Sequence, residues 1–184
     1  MNDLNRSGPS LPSLYALFPL APRELLPEHE IVSADEVPAP YRELLVHEHH
    51  MTVTVEKHHG GAVDVRILAR RHTGDFYARK ILLALHGTGP VVQFGIMKIN
   101  LRHCNQQVRE EIIAGQTPLG RILIQHNVLR RIEPTAYLRV LPDPAMMKWF
   151  GLDAPKPTYG RLAFIHCDEQ PAVELLEIVV PEEA

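Results

Sequence analysis

The stretch from Gly115 to Arg121, Gly-Gln-Thr-Pro-Leu-Gly-Arg, has the features of a helix N-terminus that could bind an anion. The Thr117 hydroxyl suits an N-cap, where it accepts a backbone N–H of the first turn, and Pro118 suits the first helical position. The Leu119 amide then has no partner within the helix, and the helix dipole attracts negative charge to it. A ligand carboxylate could bind there, although most capped helix starts bind only water.

A second candidate is Arg79, which lies on the more apolar face of a predicted strand from Phe76 to Leu85. Successive side chains of a strand alternate between its two faces. The face of Arg79 also carries Tyr77, Ile81, Leu83 and Leu85. A buried guanidinium is tolerated when it is paired, and its planar fork fits a carboxylate. Arg79 could therefore bind a ligand; alternatively, it lies at the sheet margin or forms a salt bridge with another side chain.

Glu177 is a third candidate: like Arg79, it lies on an apolar face of a predicted strand, but it carries a negative charge. It alternates with Val173, Leu175 and Val179, and so points where apolar side chains point. A carboxyl group in such surroundings suits hydrogen bonding to a ligand hydroxyl, or proton transfer. The alternative is a structural role, as a partner of Arg79 or as a residue at the end of a barrel.

The chain contains 11 histidines. Five of them cluster in sequence, at His47, His49, His50, His58 and His59. If His47 and His49 lie at alternate strand positions, they share a face and could bind zinc or iron. The spacing fixes no third ligand, because His50 faces the opposite way and the His58-His59 pair lies at the other end of the strand. We therefore expect no metal site, and interpret these residues as surface or ligand-gating histidines.

The composition is that of an ordinary globular protein. The 184 residues are 45% hydrophobic and 22% charged, with a net charge of −3, which suits one domain with a sizeable core. The basic residues are scattered, so neither nucleic acid nor a membrane surface is an expected partner. Cys104 and Cys167 lack metal-ligand spacing and suit a reducing, cytoplasmic compartment. We predict no signal peptide and no transmembrane helix.

The domain prediction divides the chain at residue 40. Residues 1–40 hold a large share of the 16 prolines and are expected to form a strap with short helices around 14–18 and 22–26. Residues 41–184 are expected to form a single domain.

Apolar residues alternate with a period of two from residue 51 onward, which favours strands. The predicted strands cover residues 51–56, 62–69, 76–85, 91–101, 128–141, 159–166 and 173–180. The predicted helices cover residues 105–114, 118 to about 126, and 144–150. Successive hairpins with helices inserted in mid-chain indicate an α+β fold with an antiparallel sheet of about six strands.

These residues together resemble the chorismate pyruvate-lyase family (4-hydroxybenzoate synthases), in its short and divergent prokaryotic branch. The matching stretches are Met51-Thr52, residues 77–83, residues 117–121 and residues 177–181. The resemblance implies a chorismate-lyase-like domain in which Arg79 and the Met51 and Leu119 amides hold a ring carboxylate, while Glu177 meets the ring hydroxyl. It therefore assigns substrate binding to all four residues, and catalysis to Arg79 and Glu177.

The chain departs from the family pattern in three places. It is shorter between the Met51 and Arg79 positions, and longer between Leu119 and Glu177, where residues 144–157 form an insertion. Lys80 stands where an acidic or neutral residue is more usual. Because of these departures, the resemblance does not determine the exact substrate.

The function implied by the resemblance is that of a cofactor-free lyase, which eliminates pyruvate from chorismate to give 4-hydroxybenzoate or a related aromatic acid. The expected partner is a small aromatic or enolpyruvyl carboxylate. One alternative is a non-catalytic binding domain of the same fold, since effector-binding domains of some transcriptional regulators resemble it. A histidine-dependent metalloenzyme is the third and least favoured reading. The sequence determines neither the oligomeric state nor the pathway served.

Overall fold

The structure is a computed structural model that describes residues 8–167 and 169–182. Within these residues, seven strands form one sheet. They are β1 (Glu28–Val32), β2 (Val63–Thr73), β3 (Phe76–Leu85), β4 (Val91–Asn100), β5 (Arg130–Leu141), β6 (Thr158–Cys167) and β7 (Gln170–Val179). Their order across the sheet is β1-β5-β6-β7-β4-β3-β2, and all neighbours are antiparallel. The predicted α+β class with an antiparallel sheet is confirmed, with one strand more than expected.

Six short α-helices accompany the sheet in the described part of the chain. They are α1 (Leu11–Tyr15), α2 (Tyr41–Leu45), α3 (Met51–His59), α4 (Gln106–Ala114), α5 (Leu119–Gln125) and α6 (Pro144–Phe150). Local caps explain why α4 and α6 match their predictions: Asn105 and Asp143 accept backbone amides at the two starts, and glycines with positive φ end both helices. Among residues 8–167 and 169–182, no helix combines the length and apolar character needed to cross a membrane.

Helices cover both faces of the sheet. On one face, α1 and α6 pack on the even-numbered side chains of β3. The buried residues there include Leu11, Leu14, Leu82, Phe94 and Met146. On the other face, α2 to α5 cover the odd-numbered side chains. The buried residues there include Leu44, Val55, Leu83, Ile112 and Ile122. The central strands are therefore buried on both sides, and the face under α3 and α5 also carries Arg79 and Glu177.

The predicted strand over residues 51–56 is wrong, because this segment forms the first part of α3. Its alternating valines and threonines favour a strand when taken alone. In the fold, Met51 and Val55 are buried four residues apart on one helix face, whereas Val53 is 48% exposed. Gly60, with a φ of 69°, then ends the helix. Packing against the sheet has overridden the local strand propensity.

Three elements form between residues 8 and 40, namely α1, β1 and a short 3-10 helix at Ala34–Glu36. The predicted helix near 14–18 lies earlier, as α1, where Ser10 and Ser13 form a reciprocal capping box. No helix forms at 22–26. Instead, β1 adds an edge strand to the sheet by pairing with β5, with Ile31 opposite Leu138. This is the strand that the prediction did not include.

Candidate ligand-binding site

A small cavity of about 60 Å³ lies between the sheet and the first residues of α3 and α5. Its polar lining residues are His50, Thr52, Arg79, Gln93, Arg161 and Glu177. The four residues named from the sequence, Met51, Arg79, Leu119 and Glu177, all line this one cavity. The tertiary structure therefore brings together the residues that the sequence singled out separately.

Arg79 supplies an unpaired positive charge to the cavity wall. The residue is 1% exposed and lies in β3, between β4 and the edge strand β2. Its Nη2 donates to the Thr117 carbonyl at 3.2 Å, but Nε and Nη1 are buried and have no hydrogen-bond partner within the described residues. Burial lowers the pKa of the guanidinium from its ordinary value, because the charged form has lost its water, and the neighbouring Tyr77 hydroxyl offsets part of this shift. A bound anion would supply hydrogen-bond acceptors for these two nitrogens and a negative charge to balance the guanidinium.

The start of α5 differs by one residue from the prediction. Pro118, not Thr117, is the N-cap; its backbone is extended (ψ 139°), and its carbonyl accepts from the Arg121 and Ile122 amides. The Thr117 side chain therefore does not cap the helix, and the predicted cap is wrong. Leu119 is the first helical residue, so its N–H points out of the helix start, as predicted.

Met51 lines the cavity from the start of a helix, and not from the start of a strand as predicted. It is the first residue of α3 and is 2% exposed, so its backbone amide also belongs to the unpaired donors of a helix start. The Met51 and Leu119 positions thus present two helix N-termini to one cavity. Their partial positive charges reinforce that of Arg79.

Glu177 is paired with an arginine that the sequence reasoning missed. Arg161 is fully buried, and its Nε donates to Glu177 Oε2 at 2.7 Å. The other guanidinium nitrogens donate to the backbone carbonyls of His47 at 2.8 Å, His49 at 3.0 Å and Leu45 at 3.3 Å. Arg161, not Arg79, is therefore the structural partner of Glu177. The signal was present, since Arg161 alternates with apolar residues of β6 as Arg79 does in β3.

The strand register sets the spacing of these groups along the cavity floor. Arg79 lies opposite Met97, whereas Glu177 lies opposite Gly95, two residues further along the neighbouring strand β4. Two residues of a strand span about 7 Å. Because Gly95 has no side chain, the floor between the two charged groups stays open. Further along β4, the buried Gln93 also lines the cavity, and its Oε1 has no partner among the described residues.

His50 and Ile132 line both the cavity and a larger, more open cleft of about 670 Å³. His50 Nε2 accepts a hydrogen bond from Arg130 Nε at 2.6 Å. Burial, followed by the charges of Arg130 and Arg161, lowers the pKa of His50 to about 4. The imidazole is therefore neutral at pH 7. On its other side, His50 packs closely against Gly120 of α5.

The remaining histidines are arranged differently from the strand prediction. His47 and His49 lie between α2 and α3, not in a strand, although their rings stack with 5.4 Å between centroids. His47 Nε2 is engaged by the Leu44 carbonyl at 2.7 Å. His58 and His59, at the end of α3, lie instead beside Glu182. In residues 8–167 and 169–182, this last trio is the group whose ligand atoms are close enough to hold a metal ion.

No protein-family model matches the sequence, and no curated protein matches it. Solved structures do match the fold. The ligand-binding domain of a GntR-family transcriptional regulator from Bordetella bronchiseptica aligns with a TM-score of 0.50 at 14% identity, covering 66% of this chain and 87% of that one. The effector domain of PhnF from Mycobacterium smegmatis also has a TM-score of 0.50 at 14% identity, covering 72% and 88%. The chain therefore has the chorismate-lyase-like fold of GntR C-terminal domains.

Proposed function

We propose that this protein is a small-molecule binding domain whose ligand is a small organic acid, bound through its carboxylate by Arg79. The observation that carries this proposal is the buried guanidinium with two unpartnered nitrogens at a cavity wall. A buried charge without a counterion is costly. A carboxylate fits the guanidinium fork with two parallel hydrogen bonds and cancels the charge. The helix starts at Met51 and Leu119 add donors beside it.

The cavity also limits the size and charge of the ligand. Its volume of about 60 Å³ excludes a nucleotide or a peptide, and even a one-ring ligand must widen it, since a protein cavity that holds benzene has a volume of about 150 Å³. Glu177 cancels the charge of Arg161, so the wall retains one net positive charge and suits a monoanion. Aliphatic side chains such as Ile81 and Leu175 provide apolar walls. An aromatic acid such as 4-hydroxybenzoate matches the charge and polarity of these walls, with its carboxylate at Arg79 and its hydroxyl donating to Glu177.

Two of the structural neighbours are themselves described as a ligand-binding domain and an effector domain. Those descriptions agree with a binding role for this fold. Only the cavity of this chain indicates the chemistry of its ligand.

The second candidate is the lyase itself, favoured by the placement of Arg79 and Glu177 in one cavity. In that reaction, the bond between a ring carbon and the ether oxygen breaks, and the adjacent ring carbon, which carries the hydroxyl, loses its proton. The ring becomes aromatic, and the enolpyruvate that leaves takes up a proton to give pyruvate. Arg79 would hold the ring carboxylate of chorismate, and Glu177 would meet the ring oxygen. However, chorismate carries a second carboxylate, and the other cationic side chain of the cavity, Arg161, already has Glu177 as its counterion. We therefore place binding ahead of turnover.

Calorimetric titration with 4-hydroxybenzoate and with 4-hydroxybenzamide, its uncharged analogue, tests the binding role. We expect the acid to bind and the amide to bind about 100-fold more weakly, since a hydrogen bond to a charged group contributes about 1.5–3 kcal/mol. Arg79→Met should weaken binding of the acid to the level of the amide. Arg102→Met, at an exposed arginine paired with Asp75, is the matched control and should bind as the wild type. Equal affinity for acid and amide would refute the carboxylate site.

Incubation with chorismate, followed by detection of 4-hydroxybenzoate and pyruvate, separates the two candidates. A binding domain releases neither product above the uncatalysed rate. A turnover rate that Arg79→Met abolishes would establish the lyase instead. In that case, Glu177→Gln should lower turnover more than it lowers affinity for 4-hydroxybenzoate.

A further inference from the structure

A separate polar cluster lies at the end of α3 that is away from the cavity. His58 and His59 occupy the last turn of this helix, and Glu182 follows strand β7. The candidate ligand atoms of the three residues all lie within 4.8 Å of one another. His58 Nε2 and His59 Nε2 are 3.2 Å and 3.8 Å from Glu182 Oε1. Two imidazoles and one carboxylate form a donor set that binds zinc in proteins.

One of these atoms lacks a partner. The Nε2 atom of His59 is buried, and it has no hydrogen-bond partner in the part of the chain that the structure describes. A buried nitrogen of this kind costs free energy unless something binds it. A metal ion placed between the two imidazoles and the Glu182 carboxylate would bind this nitrogen directly.

The backbone of Glu182 is held in place on both sides. Its N–H donates to the Tyr41 hydroxyl at 2.8 Å, and its carbonyl accepts from Lys156 Nζ at 2.6 Å. The carboxylate is therefore presented to the histidines by a fixed backbone. The C-terminal end of α3 carries the negative end of the helix dipole, which also favours a cation.

We propose that His58, His59 and Glu182 form a zinc-binding site. The three protein ligands leave a fourth position of the tetrahedral ion for water. The bound ion would join the end of α3 to the segment after β7. Because α3 begins at Met51, about 12 Å away along the helix, zinc would stabilise an element of the cavity wall without entering the cavity. This site is independent of the carboxylate proposal.

The test uses the full chain without an affinity tag, freed of metal with EDTA and titrated with zinc chloride by calorimetry. We expect one zinc ion per chain. His59→Ala and Glu182→Gln should each weaken binding by about 100-fold, since even residues behind the ligands change metal affinity by about 10–100-fold. The matched controls are His166→Ala and Glu133→Gln, which break a histidine–glutamate pair (2.7 Å) that has no second histidine. These controls should bind zinc as the wild type does.

A thermal melt provides a second readout. Zinc should raise the Tm of the wild type and of Glu133→Gln, because a ligand that binds the folded state stabilises it. Zinc should not raise the Tm of Glu182→Gln. The proposal fails if zinc does not bind with a stoichiometry of one. It also fails if Glu182→Gln and Glu133→Gln bind zinc equally well, since the binding would then belong to other histidines. Glu182→Gln keeps this test decisive even if His59→Ala does not fold.

Discussion

Arg161 Nε and Glu177 Oε2 are 2.7 Å apart, on directly opposed residues of β6 and β7. Both line the cavity that also receives Arg79. One of the two buried guanidiniums thus has its counterion within the fold, whereas Arg79 has no ion pair among the described residues. This difference divides the charged groups of the cavity into a neutral pair and a guanidinium without a counterion.

Glu177→Gln should destabilise the fold, because it leaves Arg161 buried without a countercharge. Breaking a buried pair in this way costs about 3–5 kcal/mol. Glu174→Gln, on the same strand, removes the half-exposed partner of Lys98 and should cost less than about 1 kcal/mol. Urea denaturation measures both free energies of unfolding. Equal losses in the two variants would show that the Arg161–Glu177 pair does not stabilise the fold.

Lys80→Met should loosen the segment before β1. Lys80 Nζ donates to Glu24 Oε1 at 2.5 Å, and both side chains are at most 3% exposed. The Lys80 ammonium also lies 5.5 Å from the ring centres of Tyr15 and Phe18. Removing the lysine leaves the Glu24 carboxylate buried and unpaired, at a cost of about 3–5 kcal/mol.

Hydrogen exchange of residues 17–27 measures this effect, and should be at least about 100-fold faster in Lys80→Met, if the region opens by local unfolding. Lys98→Met, which breaks the half-exposed pair with Glu174, is the control and should leave this segment protected. Unchanged protection in Lys80→Met would mean that other contacts hold the segment.

Gly120→Ala should speed ligand release, on the premise that the cavity binds 4-hydroxybenzoate. An added Cβ would lie 3.0–3.2 Å from three atoms of His50, so His50 must move, and it lines both the cavity and the open cleft. Overpacking of this kind costs about 1–3 kcal/mol. If displacement of His50 relieves about 1.4 kcal/mol of this cost on the path of release, dissociation measured by stopped flow should be roughly tenfold faster. Gly61→Ala, whose Cβ would meet only Leu85 at 3.7 Å, should dissociate at the wild-type rate. Identical rates in the two variants would remove His50 as a gate.

Acid should destabilise the fold through His50. Its folded-state pKa of about 4 lies below the ordinary value of 6.5, so between these values the unfolded chain binds more protons than the folded one. Stability therefore falls as the pH drops below 6.5, and the loss from His50 between pH 7 and pH 5 is about 2 kcal/mol. His47, with a pKa lowered to about 4 chiefly by burial, acts in the same direction.

Urea denaturation at pH 7 and pH 5 measures this loss. In His50→Gln, the difference in unfolding free energy between the two pH values should shrink by about 2 kcal/mol. His86→Gln, at a histidine whose side chain is 78% exposed, should keep the wild-type difference. If His50→Gln loses as much stability between pH 7 and pH 5 as the wild type does, His50 is not the source of this loss.

Local sequence was enough to predict several features of the fold and of the candidate site. The inward positions of Arg79 and Glu177 follow from strand alternation, which depends only on neighbouring residues. The bounds of α4 and α6 follow from caps made within a few residues of each helix end. The edge strand β1 could not be predicted in this way, because its side chains are largely exposed and its formation depends on pairing with β5.

The sequence by itself indicated that Arg79 and Glu177 face the interior; only the tertiary structure decided what each one meets there. The pairing of Glu177 with Arg161 depends on the register between β6 and β7, which sets which residues of two distant segments lie side by side. The segment at residue 51 shows the same limit: its few apolar residues fit both a period of two and a period of 3.6. Packing on the sheet selected the helix, and with it the position of the Met51 amide at the cavity.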